Sequence, residues 1–480
     1  MRKSKLSIMV LTLTIVMALV VGTAFAAATT KQLSTVFAVQ NLSTTATATV
    51  HVDYRFAKND GGGAWTNVSA GNVDFTIPPN GAANIAQYLD TTMTGGRGSA
   101  TVSSDQPIAA VVNELARNQV PTSGSYSGFD SGGSSVYAPL VYKALNTSQG
   151  VINSTLTVMN TGGTPTNFNI VYVSGQTFLP VYTATVNGLA AGESYYADQS
   201  LEANLPNGFY GSAVVNATTA GGTVAVVGNQ FTGPDGLLTY NGIKASDGFT
   251  SWAVPLYFCQ ISNGFSSPIS IQNVSGSTMA AGSISIAFKP DTGSPFSVSN
   301  PSPIPANASF VFNPRVAGSG CPTGSQGSAR VTAPGNVVVI VNQLQAGSGQ
   351  ALSYNGVRTD GTNKTALSPV SLSRLTNGFS TVLTVQNLNL SASATITFTY
   401  MPNTTCVGCS QYVKVMTALA GGSVVQNNRL ANGPTTQPLP TGWFGSARVT
   451  SNQPIAGIVN QLDLSHGGDG SMSFNMIGQP

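Results

Sequence analysis

Residues 46–56 read ATATVHVDYRF, with small or polar residues alternating with apolar ones. A period of two puts successive side chains on opposite faces, as a half-buried strand does. The alternation returns at 167–173, 283–288 and 392–400. Residues 98–114 hold two more apolar runs, 99–102 and 108–112, on either side of DQP at 105–107. That pattern predicts a hairpin, and the turn recurs downstream as AGG, PGN and NQP, all turn-forming sequences. Beyond residue 26 no amphipathic helical periodicity of ten or more residues occurs. The chain reads as all-β.

The same motifs recur four times in one order. STVFAVQN at 34–41 returns as STLTVMN at 154–160, SPISIQN at 267–273 and STVLTVQN at 380–387. A Gly-Ser-Ala motif begins at Gly98, Gly211, Gly327 and Gly445. Asn113-Glu114 is followed by Asn229-Gln230, Asn342-Gln343 and Asn460-Gln461. YSGF at 126–129 becomes YNGI at 240–243, YNGV at 354–357 and FNMI at 474–477. A period of about 115 residues exceeds that of solenoid repeats and fits one β-sandwich of about 100 residues. Polar stretches at 130–135, 244–250 and 358–365 mark the joints. The expectation is a leader at 1–26 and four antiparallel, immunoglobulin-like sandwiches in a row, at 27–136, 137–250, 251–366 and 367–480. Repeats 2, 3 and 4 each open with an apolar segment holding Pro139, Pro255 or Pro369. Such a segment suits an edge strand, where proline costs no ladder bond. The first repeat lacks it, so its sheet edge is expected to be incompletely covered.

Composition narrows the chemistry. Charged residues are only 7% of the 480, and the chain has 53 glycines, three glutamates and two histidines. The formal charge of +3 gives no electrostatic footprint for nucleic acid. At the N-terminus Arg2, Lys3 and Lys5 precede an apolar run over 6–21 and then Ala24-Phe25-Ala26. This is the layout of a secretory signal peptide, the alternative being a single-pass anchor. Cleavage after Ala26 takes three of the 19 basic residues and none of the 16 acidic ones, leaving a formally neutral chain. Near-zero net charge favours self-association. The mature chain is expected to be extracellular and surface-associated, with no membrane span.

In repeat length, strand pattern and export, the mature chain resembles bacterial extracellular proteins built from tandem immunoglobulin-like or fibronectin-like sandwiches. The resemblance implies surface, adhesion or matrix roles. It transfers no functional residue, because such modules bind through variable loops.

Candidate sites are few. In an exported chain, four cysteines read first as disulfides, Cys259 with Cys321 and Cys406 with Cys409. A zinc site at Cys406 and Cys409 would need two more ligands, and only His51 and His466 exist. The repeated Asn-Gln pairs read as amides that satisfy loop backbone at strand ends. Phe209, Tyr210, Trp443 and Phe444 precede two Gly-Ser-Ala motifs and could stack on sugar rings, which gives a carbohydrate-binding array as the second function class. The loops at 60–63 and 463–469 carry too few acids for calcium. No nucleophile–base pair can be assembled, and no metal or cofactor is expected. The partners expected are other extracellular proteins, the chain itself or surface glycans. The leading expectation is a structural or adhesive surface protein.

Overall fold

The computed structural model describes residues 32–479 apart from 117–120, 148–149, 348, 404, 431–438 and 464. The leader read at 1–26 lies outside the described residues. The chain is all-β, built of antiparallel sheets, and the longest described helix has four residues, Ala70–Val73. No described helix is long and apolar enough to cross a membrane.

Each repeat pairs two sheets. In repeat 2 one sheet runs Ser194–Asp198, Gly150–Asn160, Val224–Thr232, Gly236–Asn241. The other runs Pro180–Leu189, Thr166–Ser174, Phe209–Ala217, Ser135–Lys143, Ile243–Lys244. Repeat 4 repeats this order from Thr365–Ser373 to Ile477–Gln479. The period-two pattern explains the packing. Along Ala48–Phe56, Ala48, Val50, Val52 and Tyr54 are buried while Thr49, His51 and Asp53 face solvent. Each fully buried side chain of the Val, Leu or Phe class contributes about 1.5–3 kcal/mol. Phe168, Ile170 and Tyr172, and Ile396, Phe398 and Tyr400, fill the corresponding cores.

The hairpin expected at 98–114 does not form. Gly98–Ser104 pairs with Ala48–Phe56 in one sheet, and Ile108–Ala116 pairs with Leu33–Asn41 in the other. The turn at 105–107 therefore carries the chain across the sandwich. In repeat 3 the crossing has no break, and Ser325–Gln345 serves both sheets. Two apolar runs about a tight turn look alike in sequence whether they pair with each other or arch between layers.

The proline segments are not edge strands either. Ser135–Lys143 lies between Phe209–Ala217 and Ile243–Lys244, and Phe249–Cys259 and Thr365–Ser373 are flanked in the same way. Each ladder skips two residues, Pro139 and Leu140, Pro255 and Leu256, or Pro369 and Val370. Proline is tolerated there because it sits at a bulge, where no ladder donor is needed.

Asn41, Asn160, Asn273 and Asn387, which end the first motif, are fully buried loop organisers. Each side-chain NH2 donates to at least two backbone carbonyls, such as Ser277 (2.7 Å) and Ile304 (2.8 Å) for Asn273. Each Oδ1 accepts the N–H two residues on. Replacing Asn273 with Ala removes both of these bonds and the acceptor of the Ser275 N–H, and should destabilise repeat 3 by about 1–3 kcal/mol. Thermal unfolding with a reporter in that repeat measures the loss, and an unchanged midpoint refutes the assignment.

The cysteines pair as read. Cys259–Cys321 joins the end of Phe249–Cys259 to the loop before Ser325, with Cα atoms 5.9 Å apart, and Cys406–Cys409 closes a tight loop with Cα atoms 5.5 Å apart. In the chain-entropy account, closing the longer loop stabilises repeat 3 by roughly 4 kcal/mol. Non-reducing peptide mapping should recover these two pairs. Free thiols or crossed pairs would disprove the pairing.

Candidate functional site

The repeats do not lie in a row, because the fourth returns to meet the first. Four short strands, Ser123–Ser127, Gly236–Asn241, Ala351–Asn355 and Ser471–Asn475, lie side by side along a common axis, one from each repeat. Three sets of polar contacts join them around that axis.

The first set uses the Asn-Gln pairs. Asn342 donates to Gln230 Oε1 (2.9 Å), and Asn460 donates to Gln343 Oε1 (2.9 Å). Asn113 and Gln461 exchange bonds of 3.3 and 3.0 Å, closing the circle between the first repeat and the last. Asn229 donates to Glu114 Oε2 (2.8 Å). Hydroxyls on the axial strands add support, as Ser125, Ser353 and Ser473 donate to Asn113, Asn342 and Asn460. The amides expected to satisfy loop backbone thus bond from one repeat to the next. Sequence alone could not show this, because their partners lie at least 112 residues away.

The second set comes from the YNG motif. Asn241 uses its side chain as a paired donor and acceptor to the backbone of Ser127, Asn355 does the same to Asn241, and Asn475 to Asn355. Ser127 closes the circle with one bond, its Oγ donating to the Asn475 carbonyl (3.2 Å). The third set is a single residue. The buried carboxylate of Asp469 accepts N–H groups from Leu237 (2.8 Å), Ala351 (3.0 Å) and Ser471 (3.2 Å). Its backbone bonds Pro121 and the Ser123 hydroxyl, so Asp469 touches all four repeats. Burial pushes its carboxyl well above the usual range, although the N–H groups work against that shift.

The outer contacts also repeat. The serine of Gly-Ser-Ala reaches the next repeat, Ser99 to the Gly192 carbonyl, Ser212 to Asn307 and Ser328 to Gly421. Between repeats 1 and 2, Leu33 packs on Phe231 and Leu237, and polar and charged groups add to that contact. Asn59 pairs twice with the Tyr196 backbone, the Gly63 N–H donates to Glu193, and Arg97 lies 4.1 Å over the Tyr196 ring. The loop at 60–63 therefore serves this joint, and Asp60 is held low by Arg97.

The aromatic candidates fall into two groups. Trp443 is fully buried, with its indole N–H on the Ser410 carbonyl (3.0 Å) and its ring edge-on to Tyr400. Phe209 is buried edge-on to Tyr172. Tyr210 and Phe444 are half-buried on the other side of the same strands. Neither buried ring has a face free to stack on a sugar. His51 is exposed beside Asp74 (2.7 Å), whose hydrogen bond raises its pKa, and His466 lies 2.7 Å from Asp463.

Glu114 is the one acid in the amide circle. Loss of water pushes its pKa from 4.5 up to about 7, against the hydrogen bonds from Asn229 and Thr239. A folded pKa above the unfolded value means full stability below pH 4.5, declining as pH rises to about 7. Glu114→Gln restores the amide found at the other three joints and removes this decline. The variant should match the parent chain near pH 4.5 and exceed it above pH 7 by at most about 3 kcal/mol. Melting curves of both chains across this range measure the difference, and parallel pH profiles would disprove the role given to Glu114.

No protein-family model matches the chain, and no curated protein matches it.

Proposed function

We propose that the chain is a secreted, surface-associated structural or adhesive protein whose working unit is the closed set of four sandwiches. One observation carries this reading: the repeated polar residues at the centre of the molecule bind repeat to repeat. Buried amides demand partners in defined geometry, so they fix the relative placement of the sandwiches. A unit of fixed shape suits load-bearing or presentation of an outer surface. The neutral charge expected after leader removal supports association with further copies or other extracellular chains. The outer strand Tyr412–Ala418 supports it too, since among the described strands it pairs on one side only, and it turns Val413 and Val415 to solvent.

Cell fractionation and immunogold electron microscopy of the producing cells test the reading. The protein should be found in the extracellular or envelope fraction, arrayed on the surface, and deleting its gene should alter that surface. A protein confined to the cytosol, with an unchanged surface in the deletion strain, would overturn it.

A further inference from the structure

Among the described residues, repeat 1 has no counterpart to a strand that the other three possess. Its second sheet has three described strands, Asp74–Ile77, Ala48–Phe56 and Gly98–Ser104, where repeats 2 and 4 have five. In those repeats the proline strand fills the gap between the Gly-Ser-Ala strand and the end of the YNG motif. Tyr137 pairs Ile243, Ala253 pairs Val357, and Leu367 pairs Ile477.

The side chains around the gap in repeat 1 are uncovered. Ala100 is exposed, whereas Ala213, Ala329 and Ala447 at the same position are at most 1% exposed. Val102 is half-buried against fully buried Val215, Val331 and Val449. Phe129, the counterpart of Ile243, is exposed. Tyr126 is half-buried, while Tyr240 and Tyr354 are buried and give their hydroxyls to the carbonyls of Leu140 and Leu256, each just after the strand's proline. In repeat 4, Phe474 has no hydroxyl, and Ser368 Oγ bonds the matching Val370 carbonyl instead. The Tyr126 hydroxyl has no hydrogen-bond partner among the described residues.

The backbone is open along the same line. The Ala57 N–H bonds the Arg97 carbonyl and the Asp105 N–H bonds the Thr49 carbonyl at the two ends of an unbroken ladder. Antiparallel alternation then turns the N–H and C=O of Ala100 and Val102 away from that ladder, toward the gap. An open row of this kind accepts an added strand.

We propose that repeat 1 is completed in trans by an extended segment of another polypeptide, apolar at alternate positions with a proline near its middle, lying antiparallel to Gly98–Ser104. The three filled gaps define that chemistry: SVYAPLVYK, FTSWAVPLYFC and TALSPVSLS. The register argues for a donor from outside the chain. Counting back from Ser34 as the other repeats count back from Ser154, Ser267 and Ser380, the missing strand falls within residues 15–27. Those residues are almost wholly leader in the sequence reading, so cleavage takes the chain's own candidate away.

The test uses the secreted chain, its N-terminus fixed by mass, with a labelled SVYAPLVYK peptide and a scrambled control. The native-order peptide should bind saturably and slow amide exchange at Ala100 and Val102, and the scrambled one should do neither. Ala100→Pro removes an edge donor without touching the inner ladder, and should abolish binding with the thermal midpoint kept. A chain carrying SVYAPLVYK ahead of Gln32, spaced as in repeat 2, should fill its own gap, reject the peptide and melt higher. The proposal is overturned if the peptide fails to bind, or if Ala100→Pro leaves binding intact. It is equally overturned if the secreted chain retains residues 15–27 and amides 98–104 exchange slowly without peptide, which would place the strand in cis.

Discussion

The contact between repeats 1 and 4 decides the shape of the molecule, and it is made by Asn113 with Gln461, Ser127 with Asn475, and Asp469 with Pro121 and Ser123. Without that contact the other three joints would describe an open chain of sandwiches, and the end repeats would expose the polar surfaces that now face each other. A carboxamide left dry and unpaired costs on the order of 1–3 kcal/mol, so each joint holds only if the next one also forms. Closure gives every repeat two neighbours. The axial strands can then be lined with Ser, Thr and Asn, which in an isolated sandwich would face water.

Apolar packing follows the same closure. Ala38 and Val111 of repeat 1 belong to the core cluster of repeat 4, and Ile340 of repeat 3 belongs to that of repeat 2. Leu352 of repeat 3 packs with Val382 and Leu462 of repeat 4. The proline strands mediate much of this contact, since each covers its own sandwich and lies against the first strands of the next repeat. The joint between repeats 1 and 2 has no such strand among the described residues, and Leu33 on Phe231 and Leu237 is joined there by Lys58, Asn59, Arg97 and Glu193. Glu114 sits at this same joint. The departures from the repeat pattern are therefore gathered at this joint.

Much of this was legible in the chain. Alternation at 46–56 gave the strand and its buried face, because a period of two leaves one face for the core. The four recurring motifs gave the number of sandwiches, and cysteine spacing gave both bridges. The aromatic residues misled, since Trp443 and Phe209 look the same in sequence whether they fill a core or line a surface. The prolines misled in a related way: a missing ladder donor fits an edge or a bulge, and only the neighbouring strands show which. Nothing local distinguishes Asn113, which bonds another repeat, from Asn41, which bonds its own loop.

The sequence by itself determined the all-β class, the fourfold repetition and the scarcity of ionisable side chains. These are properties of short windows and of their recurrence, which local backbone and solvation physics can read. The tertiary structure alone decided that the four units close on themselves, that the runs at 99–102 and 108–112 belong to opposite sheets, and that Asp469 joins all four repeats. Those outcomes depend on distant pairings, from Phe56 with Gly98 to Asn113 with Gln461, 348 positions apart, whose energy is set by mutual burial and geometry. An amide or a carboxylate carries no mark of its distant partner until both have left water together.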